Sequence, residues 1–217
     1  MTTNKVEIDA FELLTTTRSV RKRLDLTRSV PRELIEECLK VAVQAPNGGN
    51  LQGWEYLAID GAEQKRLVAT YYQLSNENYH PHSSSRQQDQ SGDGLARLST
   101  SVDYLAEHLH EVPVLLIPLQ RGRLSSEWTN HEASSFYGSA FPAIWSFMLA
   151  ARLQGLGTTF TTMHLRYERE IAEALQIPFE RVSQIGLVAV AYYRGDSFKP
   201  AKRYVAEDLV RWNQWRS

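Results

Sequence analysis

Two short stretches concentrate the side chains that could do chemistry. Arg18-Ser19-Val20-Arg21, running on into Lys22-Arg23, places four cations and a hydroxyl in one irregular segment. Guanidinium groups make bidentate hydrogen bonds to phosphate oxygens, and a serine hydroxyl or free backbone N–H completes such a cradle. Taken alone, the stretch is equally well read as a solvated basic loop. The second stretch, Ala45-Pro46-Asn47-Gly48-Gly49-Asn50-Leu51-Gln52-Gly53-Trp54, combines three glycines with three amides and a tryptophan. Glycines let a backbone approach a flat ligand closely, and Asn47, Asn50 and Gln52 offer both donors and acceptors to its polar edge. A helix-to-strand turn accounts for Pro46 and the glycines but leaves the amides and Trp54 without a task. Two weaker candidates remain. Thr161-Thr162-Met163 ends a threonine-rich run, and Lys202-Arg203 puts two cations on the tail. By themselves these read as β-strand and surface charge.

Other chemistries find little support. His108 and His110 fall on different faces of a helix, and His80 and His82 sit in a polar tract, so no metal spacing emerges. Tyr137-Gly138-Ser139-Ala140-Phe141 lacks the flanking glycines of a nucleophile elbow. Gly155-Leu156-Gly157 lacks the third glycine and the following helix of a dinucleotide fingerprint. With 24 Lys+Arg against 25 Asp+Glu, the formal charge of −1 argues against a protein that wraps nucleic acid. The apolar runs at 112–119 and 141–151 are interrupted or too short to cross a bilayer. A single cysteine, Cys38, and a polar N-terminal stretch without a signal-like apolar core point to a reducing, cytoplasmic setting.

The elements that must position these groups follow from hydrophobic periodicity. Helices are expected at 9–16, 31–42, 62–74, 95–110, 139–154 and 167–175, and strands at 54–59, 112–118, 155–162 and 185–192. Pro113 and Pro118 flank the second strand and place its ends at an edge or outside the ladder. Residues 75–94, rich in Ser, Gln, Asn, Asp and His, suggest a mobile lid. The 139–154 helix is apolar nearly all round, which suits a core or a subunit interface, and Trp212 and Trp215 imply that the tail docks on something. A chain of 217 residues can bury about 70% of its unfolded surface in one core, so one domain over 1–217 is expected.

In this order, the Arg18–Arg21 and Pro46–Trp54 stretches, the 161–163 strand end and the tail cations resemble the nitroreductase family of FMN-dependent flavoproteins, over nearly the whole chain. The resemblance implies an α+β fold, a central mixed sheet flanked by helices, in an intertwined homodimer with FMN at the interface. It implies that Arg18, Ser19, Val20 and Arg21 grip the FMN phosphate, ribityl chain and pyrimidine edge, and that Pro46, Asn47, Gly48, Asn50 and Gln52 reach the flavin from the partner subunit. Thr161, Thr162 and Met163 would lie beside the reactive edge of the ring, and Arg203, with Lys202, would return to the phosphate. Five residues at three places depart from the family pattern. Thr17 stands where many relatives have a second Arg, Asn47 and Gly48 where Ser is frequent, and Thr162-Met163 where others have Glu-Gly.

The activity implied is hydride transfer from NAD(P)H through FMN to a nitroaromatic or quinone-like acceptor, in ping-pong order. An ene-reductase, a reductive dehalogenase and a non-catalytic FMN-binding protein are the alternatives. The hard electron chemistry then belongs to the cofactor and no acid–base pair of the protein is needed. Tyr71, Trp128, Phe136 and Tyr137, with Tyr72 and the lid, are candidates to stack on an aromatic acceptor, with core packing as the near-equal reading for Phe136 and Tyr137.

Overall fold

The computed structural model describes residues 6–78, 92–201, 203 and 209–215, the side chains of 92–98 excepted. Lys202 and the 79–91 part of the expected lid lie outside the described residues.

Asp9 accepts the Glu12 backbone N–H and so starts α1, Ala10–Thr16. Pro31 precedes α2, Arg32–Ala42, as its cap rather than its first residue. Then come β1 (Trp54–Ile59), α3 (Ala62–Glu77), α4 (Gly92–His108), β2 (Val114–Arg121), α5 (Asn130–Leu153), β3 (Leu156–Thr161), α6 (Glu168–Ala174), β4 (Val182–Gln184) and β5 (Leu187–Tyr192). A 3-10 turn, Met163–Tyr167, separates β3 from α6.

The sheet has the order β1-β2-β5-β3, with β4 also paired to β2. Strand alternation divides it between two cores. Leu115, Ile117 and Leu119 of β2 and Leu187, Ala189 and Ala191 of β5 face α3, α4 and α6, where Val68, Tyr72, Leu105 and Ile171 meet them. Val114, Leu116, Val188 and Val190 face the other way, onto Cys38 and Ala42 of α2 and Ile144, Phe147 and Ala151 of α5. The result is helices, sheet, helices, and it explains why β2 and β5 read as unbroken apolar runs.

Four expectations need correction. The sheet is not mixed: every pairing among the described residues is antiparallel. Two helices connect β1 to β2 and return the chain to the end it left. The single helix α5 sends β3 along the direction of β2, but β5 runs between the two, against both. Pro113 lies just outside the ladder as expected, but Pro118 marks neither an end nor an edge, since β2 is central and Pro118 lies within it opposite Tyr56. Its carbonyl accepts Ile185 N–H at 2.9 Å, so its imide nitrogen faces the break between β4 and β5, where no ladder bond is lost. That break also takes the first two residues off the expected 185–192 strand, which begins at Leu187. Finally, α5 begins nine residues before the expected 139, because Thr129 and Glu132 form a reciprocal capping box.

Candidate functional site

One edge of the sheet is β3, and the residues after α1 lie along it: Val20 N–H donates to the Thr158 carbonyl at 2.8 Å. Gly157 makes this approach possible, since a Cβ there would stand 3.1 Å from the Val20 side chain. Val20 is consequently buried, 5% exposed, on the α3 side of the sheet, while Arg18, Ser19 and Arg21 turn to the α5 side. There they border a cavity of about 460 Å³.

The far wall is one stripe of α5. Phe141, Ile144, Trp145 and Met148 recur at helical spacing, and Phe160 of β3 joins them. Phe141 is 43% and Trp145 39% exposed, an apolar surface left open to water. Arg203 closes the rim with Arg18, whose guanidinium reaches the Lys199 carbonyl at 3.4 Å. A second hollow of about 410 Å³ continues past Thr17, Arg18, Trp145 and Arg203 to Lys199. The site is therefore a flat apolar wall facing a cationic, hydroxyl-bearing rim. Gly186 keeps that wall in place: a Cβ on it would stand 2.2 Å from the Phe160 ring.

Arg21 is the group that most needs a partner. It is half-buried, no carboxylate pairs with it among the described residues, and burial pulls its pKa down, opposed only by nearby Tyr72. A guanidinium taken out of water without an anion is costly, so this one is built to meet a negative or acceptor-rich ligand. Thr161 and Met163 are half-buried at the end of β3, and Thr162 is exposed. Tyr72 O–H lies 3.2 Å from Thr161 Oγ1.

The 46–52 loop does not reach this cavity. Gly49, Asn50 and Gln52 all take left-handed backbone, with φ of 58°, 52° and 47°, costly for the last two unless the surroundings fix them. Asn47 Oδ1 accepts Gln52 N–H at 2.9 Å, and Asn50 Oδ1 accepts the Gln52 amide at 3.1 Å. The loop is anchored on α5 through Ser139, whose hydroxyl accepts Gly48 N–H at 2.9 Å and whose carbonyl accepts Trp54 Nε1–H at 2.7 Å. At about 100° per residue, Ser139 lies about 160° round α5 from Phe141, so loop and cavity occupy opposite sides of one helix. The loop presents Leu51, 81% exposed, to solvent.

The aromatic candidates sort differently. Tyr72, only 1% exposed, belongs to the core and cannot stack on a ligand from the surface. Phe136, 9% exposed, is likewise core. It nevertheless links a row of rings: Trp128–Phe136 and Phe136–Tyr137 at 5.4 Å edge-to-face, Tyr137–Phe141 stacked at 5.4 Å, and Phe141–Phe160 at 6.0 Å. Tyr71 packs on Tyr167 at 5.3 Å, away from this row. The expectation missed the cavity wall, Phe141, Ile144, Trp145, Met148 and Phe160. Its signal was the excess of apolar groups on 139–154, which read only as core or interface.

Compared with known proteins, residues 14–192 match the model of the Nitroreductase family. No curated protein sequence matches. Among solved structures, a BluB-like flavoprotein from Clostridium difficile 630 is 18% identical with a TM-score of 0.70, covering 96% of this chain and 100% of that one. Oxidised iodotyrosine deiodinase bound to FMN and 3-iodo-L-tyrosine is 21% identical with a TM-score of 0.68, at 94% and 99% coverage. An NfnB variant, an FMN- and NADPH-dependent nitroreductase from sphigopyxis sp. strain HMH, is 18% identical with a TM-score of 0.69, at 96% and 100%.

Proposed function

This chain belongs to the nitroreductase family and shares its fold, and from that premise we propose that it is an FMN-dependent oxidoreductase taking hydride from NAD(P)H and reducing nitroaromatic or quinone-like acceptors. The observation that carries the reading is Arg21, half-buried and without an acid partner among the described residues, at the edge of a cavity that is apolar on one wall and cationic at the rim. That donor set fits a planar ring joined to a phosphate.

Arg18 and Arg203, with Lys202 adjacent in sequence, would hold the phosphate, each charge-assisted bond contributing about 1.5–3 kcal/mol. Ser19 would add a hydroxyl donor, and Arg21 would meet the acceptor-rich edge of the ring. Phe141, Ile144, Trp145, Met148 and Phe160 exclude water from one face. Thr161, Thr162 and Met163 supply hydroxyls and backbone groups at the end of β3. Bound FMN would provide the redox chemistry, receiving hydride and passing it on, so the protein's own work is binding, orientation and charge.

The opposed placement of loop and cavity on α5 supports a homodimer. Pro46, Asn47, Gly48, Asn50 and Gln52 cannot serve their own cavity but can serve that of a second copy. Phe11, Leu51, Trp212 and Trp215, each more than three-quarters exposed in the single chain, are the apolar surface such a partner would cover. Trp128 and Tyr137, half-buried along the row of rings that ends at Phe160, are the aromatic groups best placed to meet an acceptor.

The test is the visible spectrum of the purified protein, followed by NAD(P)H titration without oxygen. A flavin band that bleaches on titration and returns with a nitroaromatic is expected. A colourless protein that takes up no FMN overturns the reading, and faster turnover of a halotyrosine or an enone reassigns the acceptor.

A further inference from the structure

Arg23 ends the basic run that opens the site, yet it lines neither the cavity nor the hollow beside it. Its side chain turns instead to the chain that leaves β5. Backbone pairing brings the two together: Arg194 N–H donates to the Arg23 carbonyl at 2.8 Å, and Leu24 bridges Tyr193. The Arg23 guanidinium then closes the turn that follows, Nε donating to the Arg194 carbonyl at 2.6 Å and Nη1 to the Ser197 carbonyl at 2.9 Å. Only glycine fits that turn, since Gly195 has a φ of 85° and a Cβ on it would stand 2.8 Å from Arg23 Nη2. Phe198 comes next and is fixed through its ring. The guanidinium carbon of Arg23 lies 4.2 Å from the ring centre, that of buried Arg152 on α5 lies 4.5 Å from it, and Tyr193 meets it edge-on at 4.9 Å. A planar fork can bind two carbonyls and stack on a ring at once, which an ammonium cannot.

The chain fastened in this way leads straight to the rim of the site. Lys199 offers its carbonyl to Arg18 Nη1 at 3.4 Å, and Arg203 borders the cavity. The Arg18 contact is long, and its guanidinium is the one assigned to the phosphate, so the firm hold on the tail is at Arg23 and Phe198. We propose that Arg23 and Phe198 are positioning residues, a clamp that sets Arg203 at the phosphate end of the cavity before the cofactor arrives. The proposal rests on the flavin reading above. A loose tail would have to be ordered as the phosphate binds, and that lost entropy would come off the affinity. The clamp removes this penalty without touching the cofactor, and its benefit is confined to ligands that carry the phosphate.

The experiment compares FMN with riboflavin, the same ring without the phosphate, by fluorescence titration of the apoprotein. Arg23→Gln and Phe198→Leu are each expected to weaken FMN binding about 10-fold and to leave riboflavin binding unchanged. Arg203→Ala should remove much of the preference for FMN, and Arg23→Gln should add nothing in that background. Phe198→Leu keeps an apolar side chain in the same place, so the comparison stands even if the Arg23 variant fails to fold. A wild type that binds no FMN defeats both this proposal and the reading beneath it. A wild type that prefers FMN defeats this proposal alone if both single variants keep that preference, if they lose riboflavin as much as FMN, or if Arg23→Gln still weakens FMN binding once Arg203 is Ala.

Discussion

Arg21 shows how one side chain carries the argument. Replacing it with Met keeps most of the buried aliphatic length and removes the charge. We expect Arg21→Met to weaken FMN binding about 10- to 100-fold, the equivalent of about 1.5–3 kcal/mol for a charged hydrogen bond, as measured by fluorescence titration of the apoprotein. Arg18→Ala with Arg203→Ala should release the cofactor during purification, while unchanged flavin content would remove the phosphate assignment. His164 supports a different prediction. It is fully buried in the turn after β3, neither ring nitrogen has a hydrogen-bond partner among the described residues, and burial pushes its pKa down to about 4, with Gln184 nearby opposing. In the unfolded chain an imidazole titrates near 6.5. The folded state therefore refuses a proton that the unfolded state accepts, and this contribution is fully present above pH 6.5 and lost as pH falls toward 4. The loss is about 3 kcal/mol in all, and His164→Leu should flatten that part of a stability–pH profile obtained by urea denaturation.

At the scale of elements, what was legible in the sequence follows physical locality. Helices α1, α2 and α3 and strand β1 were placed within a few residues because their signals are local: the spacing of Phe11 and Leu14, a proline start, an Asp60-Gly61 turn. The nine-residue shortfall on α5 has a local cause too, since Thr129 and Glu132 are a capping box visible in the sequence but set before a polar rather than an apolar turn. Strand order is not local. Nothing in β2 announces that β5 will insert between it and β3, and Pro118 reads as an edge residue until the β4–β5 break beside it is known. The basic segment stands out by residue type and the 161–163 strand end only through the family resemblance, whereas the apolar wall of α5 could not be told from core without the cavity it faces. Gly186 tests how far that wall depends on its support. Gly186→Ala pushes the Phe160 ring aside at a cost of about 1–3 kcal/mol, read as a lower urea midpoint at unchanged slope, and FMN content should fall with it.

For the whole molecule, the two faces of α5 make assembly and cofactor binding one question. Leu51 stands in water in the single chain, so Leu51→Asp should leave its fold intact while opposing a second copy. Sedimentation should then report a monomer, and the flavin content should drop with it. A variant that stays dimeric and fully yellow would separate loop from cavity. Among the described residues no helix is long and apolar enough to cross a membrane. The lone thiol of Cys38 offers a last use of the architecture. It lies between α2 and α5, 1% exposed, with burial pushing its pKa up to about 12. Alkylating reagents attack the thiolate and will find none until α2 lifts off its neighbour. Labelling kinetics at this one sulfur therefore clock the opening of the helical layer, and a slower clock after FMN addition would measure how firmly the cofactor holds α2 down through α5.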